Sequence, residues 1–404
     1  MLFLPQSVQA ARQKILKDLD AGRIVESAAF EKLLALDPVD LAVLEEQAIG
    51  ARDAGDSATT EKLLRQILTA HPWYWAAYRE LSKVPQLADF SNAYLELAFA
   101  NLLLDEEAME DMGESPELPE IEALPGFHAE MSLVERLEFA AAALQEHRNT
   151  ETAEVTAALQ PYRLIWELRD ALDVTPELVD SILAAGPEMD LLLTGILRGW
   201  ARELMPSDTG GLIENTLALV GERCLASSAP DVLEFITLTD ADASGAAGWA
   251  LDKILLKHPA EGLAALLPTV AAAGTGERMA LAERSLRLAG FDPAGDLIAE
   301  LTKGLDKLPK NELSDVVPVL IGATLIKRGK AGMERATSIL RRYERKMTQA
   351  AREECEDILD AAASSGDLSA EPQEPGEPIS VYDICAGKVV WEDDGEEEEE
   401  EDEE

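Results

Sequence analysis

The residues best suited to binding a ligand lie in a basic segment, residues 327–352, of an otherwise acidic chain. Nine lysines and arginines accompany two glutamates there, so the segment carries a formal charge of +7. Clustered guanidinium and ammonium groups bind phosphate and carboxylate groups. Eight of these side chains are candidate partner contacts: Lys327, Arg328 and Lys330 in a predicted turn, and Arg335, Arg341, Arg342, Arg345 and Lys346 on the helix that follows.

Two interpretations of the basic segment stay open. Its apolar residues recur at helical spacing, which is typical of an outer helix whose charged face is only solvated. Alternatively, the same face binds an anionic partner: RNA, an acidic protein or the chain's own C-terminal tail.

The tail, residues 392–404, contains twelve acidic residues and one glycine. Such a run has no apolar side chains with which to pack, so we expect it to be disordered. One hypothesis is that it contacts the basic segment within the same chain and competes with other anions. The other is that its charge only keeps the protein soluble and monomeric.

No motif for catalysis, a cofactor or a metal can be read from the sequence. The lone "GTGER" (274–278) follows no predicted strand, so it indicates a turn rather than a phosphate-binding loop. The four histidines lack the spacing of a metal site, and the three cysteines form no CxxC. We expect a protein without catalytic activity or cofactor. An enzyme whose site is assembled from distant residues is the alternative.

Composition and charge exclude further classes. A net charge of −43 argues against duplex DNA as a ligand, because phosphate binding needs clustered basic residues over a wide surface. The longest apolar stretches, such as residues 316–326, are too short to span a bilayer. The scattered cysteines are typical of a reducing compartment. Since the first residues also lack the pattern of a signal peptide, we expect a cytoplasmic protein without membrane contact.

Near its start the chain repeats with a period of 34 residues. "FEKLLALDP" ends at Pro38 and "LRQILTAHP" ends at Pro72. Leu41, Leu44 and Ala48 follow helical spacing between the two prolines. The pattern predicts helices at about 41–53 and 58–70, with a third unit after them.

These features resemble the tetratricopeptide repeat over residues 20–104. The resemblance implies stacked antiparallel helix pairs whose concave surface takes a peptide or a helix. It also implies positions for six residues: Ala48 at the small position of the first helix, Gly55 and Asp56 in the turn, Leu64 and Ile67 at the large and small positions of the second helix, and Pro72 at its end.

An aromatic cluster, "HPWYWAAYREL", opens the third unit. Trp75 and Tyr78 are predicted to pack in its core. Trp73 and Tyr74 fall at the turn, where we expect exposure. They are therefore candidate partner contacts.

The middle of the chain is predicted to contain a linker and a second helical domain. Residues 105–126 carry acid and proline and are interpreted as an acidic linker. Residues 127–363 show recurrent helix starts with proline in the first turn, which resembles a HEAT-like α-solenoid. An irregular helical bundle is the alternative.

Three short segments follow. Residues 364–378 are predicted to be a flexible linker rich in proline and glutamate. Residues 379–391 have apolar residues on both sides of Ala386-Gly387, which predicts a β-hairpin, and Trp391 in it is a candidate partner contact. The acidic tail completes the chain.

The expected protein is therefore all-α: tetratricopeptide-like pairs, then a HEAT-like solenoid or irregular bundle, with a small hairpin and an acidic tail. We expect a non-catalytic scaffold or adaptor that binds another protein or peptide. The alternative is a nucleic-acid-associated or chaperone-like factor that uses the basic segment under control of the tail.

Overall fold

The computed structural model describes residues 6–112, 118–171, 173–201, 211–236, 241–272, 296–303, 305–325, 329–365, 379–389 and 391. All regular structure in these ranges is helical, and no strand occurs within them. The prediction of an all-α fold is confirmed. The chain divides into two compact units, Met1–Arg223 and Cys224–Glu404.

The described part of the first unit contains helices α1 to α13 and two short 3₁₀ helices, Pro85–Phe90 and His147–Thr150. The α-helices are α1 (Gln6–Asp20), α2 (Glu26–Leu36), α3 (Leu41–Asp53), α4 (Ser57–Ala70), α5 (Trp75–Leu81), α6 (Ser91–Leu103), α7 (Glu106–Met112), α8 (Pro119–Glu122), α9 (Leu133–Glu146), α10 (Ala153–Asp170), α11 (Pro176–Ala184), α12 (Pro187–Ala201) and α13 (Leu212–Glu222).

The second unit is built in the same way. Its described helices are α14 (Ala229–Ile236), α15 (Ala241–Lys257), α16 (Pro259–Ala272), α17 (Asp296–Thr302), α18 (Lys310–Leu325), α19 (Gly329–Tyr343), α20 (Gln349–Ser365) and α21 (Val381–Cys385). Neighbours along the chain pack on each other, as α14 does on α15 and α18 on α19. Short connections between packed helices are typical of helical repeats and bundles.

Glycine ends the first helix in two of the N-terminal pairs, α1 and α3. Gly22 and Gly55 have φ values of +65° and +75°, a left-handed conformation that glycine adopts without steric cost. After α3, the amides of Gly55 and Asp56 donate to the carbonyls of Arg52 and Ala51, which is the Schellman arrangement. The Asp56 carboxylate then accepts an amide hydrogen bond in the first turn of α4. One dipeptide therefore stops α3 and starts α4.

The predicted packing of helices in pairs over residues 20–104 is confirmed, since this range is fully described and holds helices joined by turns and bends. Helices α1 and α2, α3 and α4, and α5 and α6 pack on each other. The side chains expected to face inward, Ala48, Leu64 and Ile67, are buried. Burial of such an apolar stripe supplies most of the stability of short helices.

Helix α12 lies against α4 at a distance that only glycine permits. A Cβ atom at Gly195 would lie 2.1 Å from the carbonyl oxygen of Thr69, and one at Gly199 would lie 2.6 Å from Cζ2 of Trp73. Positions four residues apart lie on the same face of a helix. This two-glycine face joins the repeat helices to the rest of the first unit.

A buried group of charges connects α6 and α10. Glu96 in α6 is only 4% exposed. It accepts hydrogen bonds from Arg148 at 2.6 Å and from Arg163 in α10 at 2.9 Å. Arg163 also contacts both carboxylate oxygens of Glu151, at 2.6 and 2.8 Å. A buried carboxylate needs such partners, because an unpaired charge in the interior costs several kcal/mol.

Part of the segment predicted as an acidic linker is buried. Within residues 105–126, Leu118 and Ile121 are buried in one hydrophobic cluster with side chains of α6 and α9. The segment predicted as an acidic linker thus contributes apolar side chains to the core. The division between units falls at Arg223, inside the predicted solenoid domain.

The predicted β-hairpin at residues 379–391 was wrong, because the described residues there form the short helix α21 and no strand. The Ser380 side chain accepts the amide hydrogen bond of Asp383 and caps the helix. Gly387, at φ +61°, ends it. The buried residues follow helical spacing rather than strand alternation: Val381, Ile384 and Cys385.

We predict that Gly195→Ala destabilises the protein by at least about 1–3 kcal/mol, because the added methyl group meets backbone atoms of α4 that cannot rotate away. Gly50→Ala, inside α3, is the matched control, since no atom lies within 4 Å of its Cβ position. It should stabilise by about 0.5–1 kcal/mol. Denaturant unfolding measures both, and equal effects would contradict the close approach of α12 to α4.

We also predict that Arg163→Met lowers the free energy of unfolding by about 3 kcal/mol, because it leaves Glu96 and Glu151 with fewer partners. Arg23→Met, which removes an exposed pair with Asp18, should cost less than about 1 kcal/mol. Hydrogen bonds from Arg163 hold the pKa of Glu151 below its usual 4.5. The Glu151–Arg163 pair therefore stabilises the folded protein above about pH 4.5, and this stabilisation is lost as the pH falls below that value. Because Arg163→Met removes the pair, the free energy of unfolding of this variant should decrease less steeply as the pH falls.

Candidate functional site

A cavity of about 130 Å³ lies in the first unit, between α3, α4 and α5. Its floor is formed by Leu64 and Ile67 of α4. Small side chains, Ala48 of α3 and Ala77 of α5, leave the space open. Both alanines are buried, so the cavity is part of the packing between the helix pairs rather than a surface irregularity.

Polar side chains of α3, of the residue before α5 and of the last turn of α5 form the rim of this cavity. The Tyr74 hydroxyl donates to Glu45 Oε1 at 2.7 Å. Two helical turns further along α3, Arg52 Nη1 contacts Glu80 Oε2 at 2.8 Å. These two bridges cross the cavity at different points and tie α3 to α5. We call the cavity with its rim the α3–α5 groove.

The groove combines an apolar floor with charged groups that remain accessible. The Arg52 side chain is 47% exposed, so a ligand can reach it from solvent. Burial and the Glu45 carboxylate together raise the pKa of Tyr74, which keeps the phenol protonated and able to donate. Burial alone would raise the pKa of Glu80, but hydrogen bonds from Lys83 and Arg52 hold it below its usual value. Glu80 is therefore a charged acceptor at neutral pH.

The two aromatic candidates lie in different environments. Trp73 is 5% exposed, so the expectation that its side chain is exposed was wrong. Its indole ring fills the space over Gly199 of α12, far along the chain. Tyr74 is half-buried and lines the groove, where a ligand can touch it. Trp75 and Tyr78 pack inward as predicted, Tyr78 completely and Trp75 in part.

The candidate cations of the basic segment are divided between α19 and the turn after it. Lys327 and Arg328, together with the side chain of Lys330, lie outside the described residues. The others are exposed, as the sequence pattern predicts: Arg335, Arg341, Arg342, Arg345 and Lys346. The apolar residues of α19, including Ala336 and Tyr343, are buried.

Two of these cations are already paired. Asp306 accepts from both Arg342 and Lys346, the latter at 3.1 Å. Hydrogen bonds from Arg342 and Lys346 hold the pKa of Asp306 below its usual value. Arg341 and Arg345 make no ion pair with any residue that the structure describes. We call these four cations the α19 basic face.

Trp391, the last candidate, lies against the second unit. A Cβ atom at Gly245 in α15 would lie 2.2 Å from Cδ2 of its indole ring. The neighbouring Trp249 donates its indole N–H to the carbonyl of Ile379, with an N–O distance of 3.3 Å. The segment that precedes the acidic tail is thus attached to α15. The tail itself, residues 392–404, lies outside the described residues.

Reactive groups are few in the described part of the chain. Burial raises the pKa of the Cys355 and Cys385 thiols to about 12, so both are protonated and weakly nucleophilic at neutral pH. No group of three or more histidine, cysteine or acidic side chains that could hold a metal ion occurs there. Nor does any described helix combine the length and apolarity needed to cross a bilayer.

No protein-family model, no curated protein and no solved structure matches this chain. The resemblance to tetratricopeptide repeats therefore depends on residue spacing and helix packing alone.

Sequence reasoning missed three residues of the α3–α5 groove: Glu45, Arg52 and Glu80. A signal was present in α3, where Glu45, Ala48 and Arg52 lie on one helical face at spacings of three and four. This spacing did not show that Arg52 forms an ion pair with Glu80. Glu80 is close only because α5 packs back against α4.

Proposed function

We propose that this chain is a non-catalytic scaffold or adaptor that binds a peptide or helix of another protein in the α3–α5 groove. The observation that carries the proposal is the groove itself: an apolar cavity of about 130 Å³, bridged at its rim by polar groups from two helices. Binding sites for side chains commonly combine an apolar floor with a few fixed polar groups.

We further infer that residues 20–104 are tetratricopeptide-like repeats and that the later helices form a HEAT-like array. The 34-residue spacing, the glycine-ended first helices and the packed pairs support the first assignment. Pairwise packing of successive helices in the second unit supports the other. The scattered cysteines support a cytoplasmic location.

The groove favours a ligand with an apolar side chain next to a basic or hydrogen-bond-donating group. The cavity accepts the apolar part, up to about the size of a leucine or methionine side chain. Glu45 and Glu80 offer two carboxylates at the rim, against one guanidinium from Arg52. Since Arg52 is already paired with Glu80, the uncommitted rim charge is acidic.

Selection of peptides tests this function. Peptides from a random displayed library that bind the full chain should lose at least about tenfold in affinity on Ala76→Leu, because the added isobutyl group enters the groove that Ala76 lines. Ala58→Leu, at an exposed position of α4, is the matched control and should leave binding unchanged. Calorimetry or fluorescence anisotropy gives both affinities. Peptides that bind both variants equally would show that the groove is not the site.

A second candidate function uses the α19 basic face: a nucleic-acid-associated or chaperone-like factor regulated by the acidic tail. Exposed Arg341 and Arg345, without a described ion pair, favour it. Asp306 between Arg342 and Lys346 supplies a carboxylate that a stronger anion would displace. In this proposal the tail occupies the face in the absence of a ligand, since tethering makes weak charge pairing sufficient.

Deletion of residues 392–404 tests the second candidate. The truncated chain should bind labelled oligouridine at least several-fold more tightly at low salt, with the difference shrinking as salt screens the charges. Charge reversal of Arg341 and Arg345 should abolish the gain, whereas Lys14→Glu, outside the basic face, should not. If truncation changes only solubility and the arginine variants are silent, the tail is a solubiliser and the face is merely solvated.

A further inference from the structure

The C-terminal segment, residues 379–391, packs on α15 within the second unit. It contains the helix α21 and Trp391. Residues 366–378 precede it, and they contain three prolines and a single large apolar side chain. A segment of that composition has little apolar surface with which to pack.

Two contacts of this segment are with α15. The Trp391 indole covers Gly245, where any side chain would collide with the ring. One turn further along, Trp249 donates its N–H to the carbonyl of Ile379. Aromatic side chains bury a large apolar area, and main-chain hydrogen bonds contribute affinity in peptide recognition.

The helix α21 of the C-terminal segment is too short to be stable without the surface against which it packs. A helix of five residues has too few hydrogen bonds to be stable alone in water. Within α21 the three apolar side chains of one face are each at most 5% exposed: Val381, Ile384 and Cys385. The order of the helix thus depends on the surface it covers.

We propose that the face of α15 around Gly245 and Trp249 is a second protein-binding site, kept closed by the chain's own C-terminal segment. Its ligand is a segment of another protein with the same chemistry: a short helix with apolar side chains at i, i+3 and i+4, followed six residues later by an aromatic side chain. The resident segment is the template for that ligand, with Val381, Ile384, Cys385 and Trp391 in these positions. The site belongs to the second unit and does not depend on the α3–α5 groove.

Tethering explains why the site is closed in the free chain. Because residues 366–378 join the segment covalently to the chain, its binding is intramolecular, and this raises its effective concentration at the site. A free peptide of the same sequence competes poorly against that concentration. A partner that adds contacts beyond the template displaces the segment and releases the acidic tail with it.

The test uses the full chain and a labelled peptide with the sequence of residues 379–391. Ile384→Asp places a charge on the buried face of α21 and should open the site, so that this variant binds the peptide at least about tenfold more tightly than the wild-type chain does. Lys388→Ala, at an exposed position of the segment, is the matched control and should stay closed. A peptide carrying Trp391→Ala should bind the open variant at least several-fold more weakly.

Thermal unfolding shows whether the open variant remains folded, and Trp391→Ala in the full chain is a second way to open the site if Ile384→Asp does not fold. Peptide binding to neither open variant would overturn the proposal and make the segment an integral part of the fold. Equal binding to the open and wild-type chains would also overturn it. If the wild-type chain forms dimers and the peptide dissociates them, the ligand of the site is a second copy of this chain and not another protein.

Discussion

The contact on which the first unit depends is the approach of α12 to the backbone of α4 at Gly195. Helix α4 makes contacts on two faces: one packs against α12 and the other lines the α3–α5 groove. Thr69 lies beneath α12, while Leu64 and Ile67 form the floor of the α3–α5 groove. Because interiors are close-packed, a displacement of one face moves the other. The glycines of α12 therefore pack against the helix that forms the floor of the groove, but they do not line the groove.

Charged groups then fix the remaining helices, with energies that depend on burial. Glu96 and Arg163 are almost fully buried, so losing either partner leaves an unsatisfied charge in the interior. The bridge between Arg52 and Glu80 is partly exposed and contributes little to stability. The bridge instead fixes the orientation of the Arg52 and Glu80 side chains at the rim before a ligand binds. A preorganised rim loses less conformational entropy on binding.

Sequence analysis predicted those features that depend on interactions between residues close together in the chain. Gly22, Gly55 and the capping residue Asp56 specify helix ends through contacts within a few residues. The two helices predicted at about 41–53 and 58–70 are observed at Leu41–Asp53 and Ser57–Ala70. The sequence did not predict the features that depend on contacts between segments distant along the chain. Trp73 looked exposed because the helix that covers it comes much later in the chain. In residues 379–391, valines and a tryptophan suggested strands, but capping by Ser380 and helical spacing of the buried side chains prevailed.

Each unit carries its own candidate surface: the α3–α5 groove in the first, the α19 basic face and the α15 site in the second. The central claim is that partner binding occurs in the groove. Hydrogen exchange of the full chain with and without a selected peptide tests it most directly. We predict slower exchange of the amides in Leu41–Asp53 and Trp75–Leu81, with Gly329–Tyr343 unchanged. Slower exchange confined to Gly329–Tyr343 or to α15 would contradict the claim.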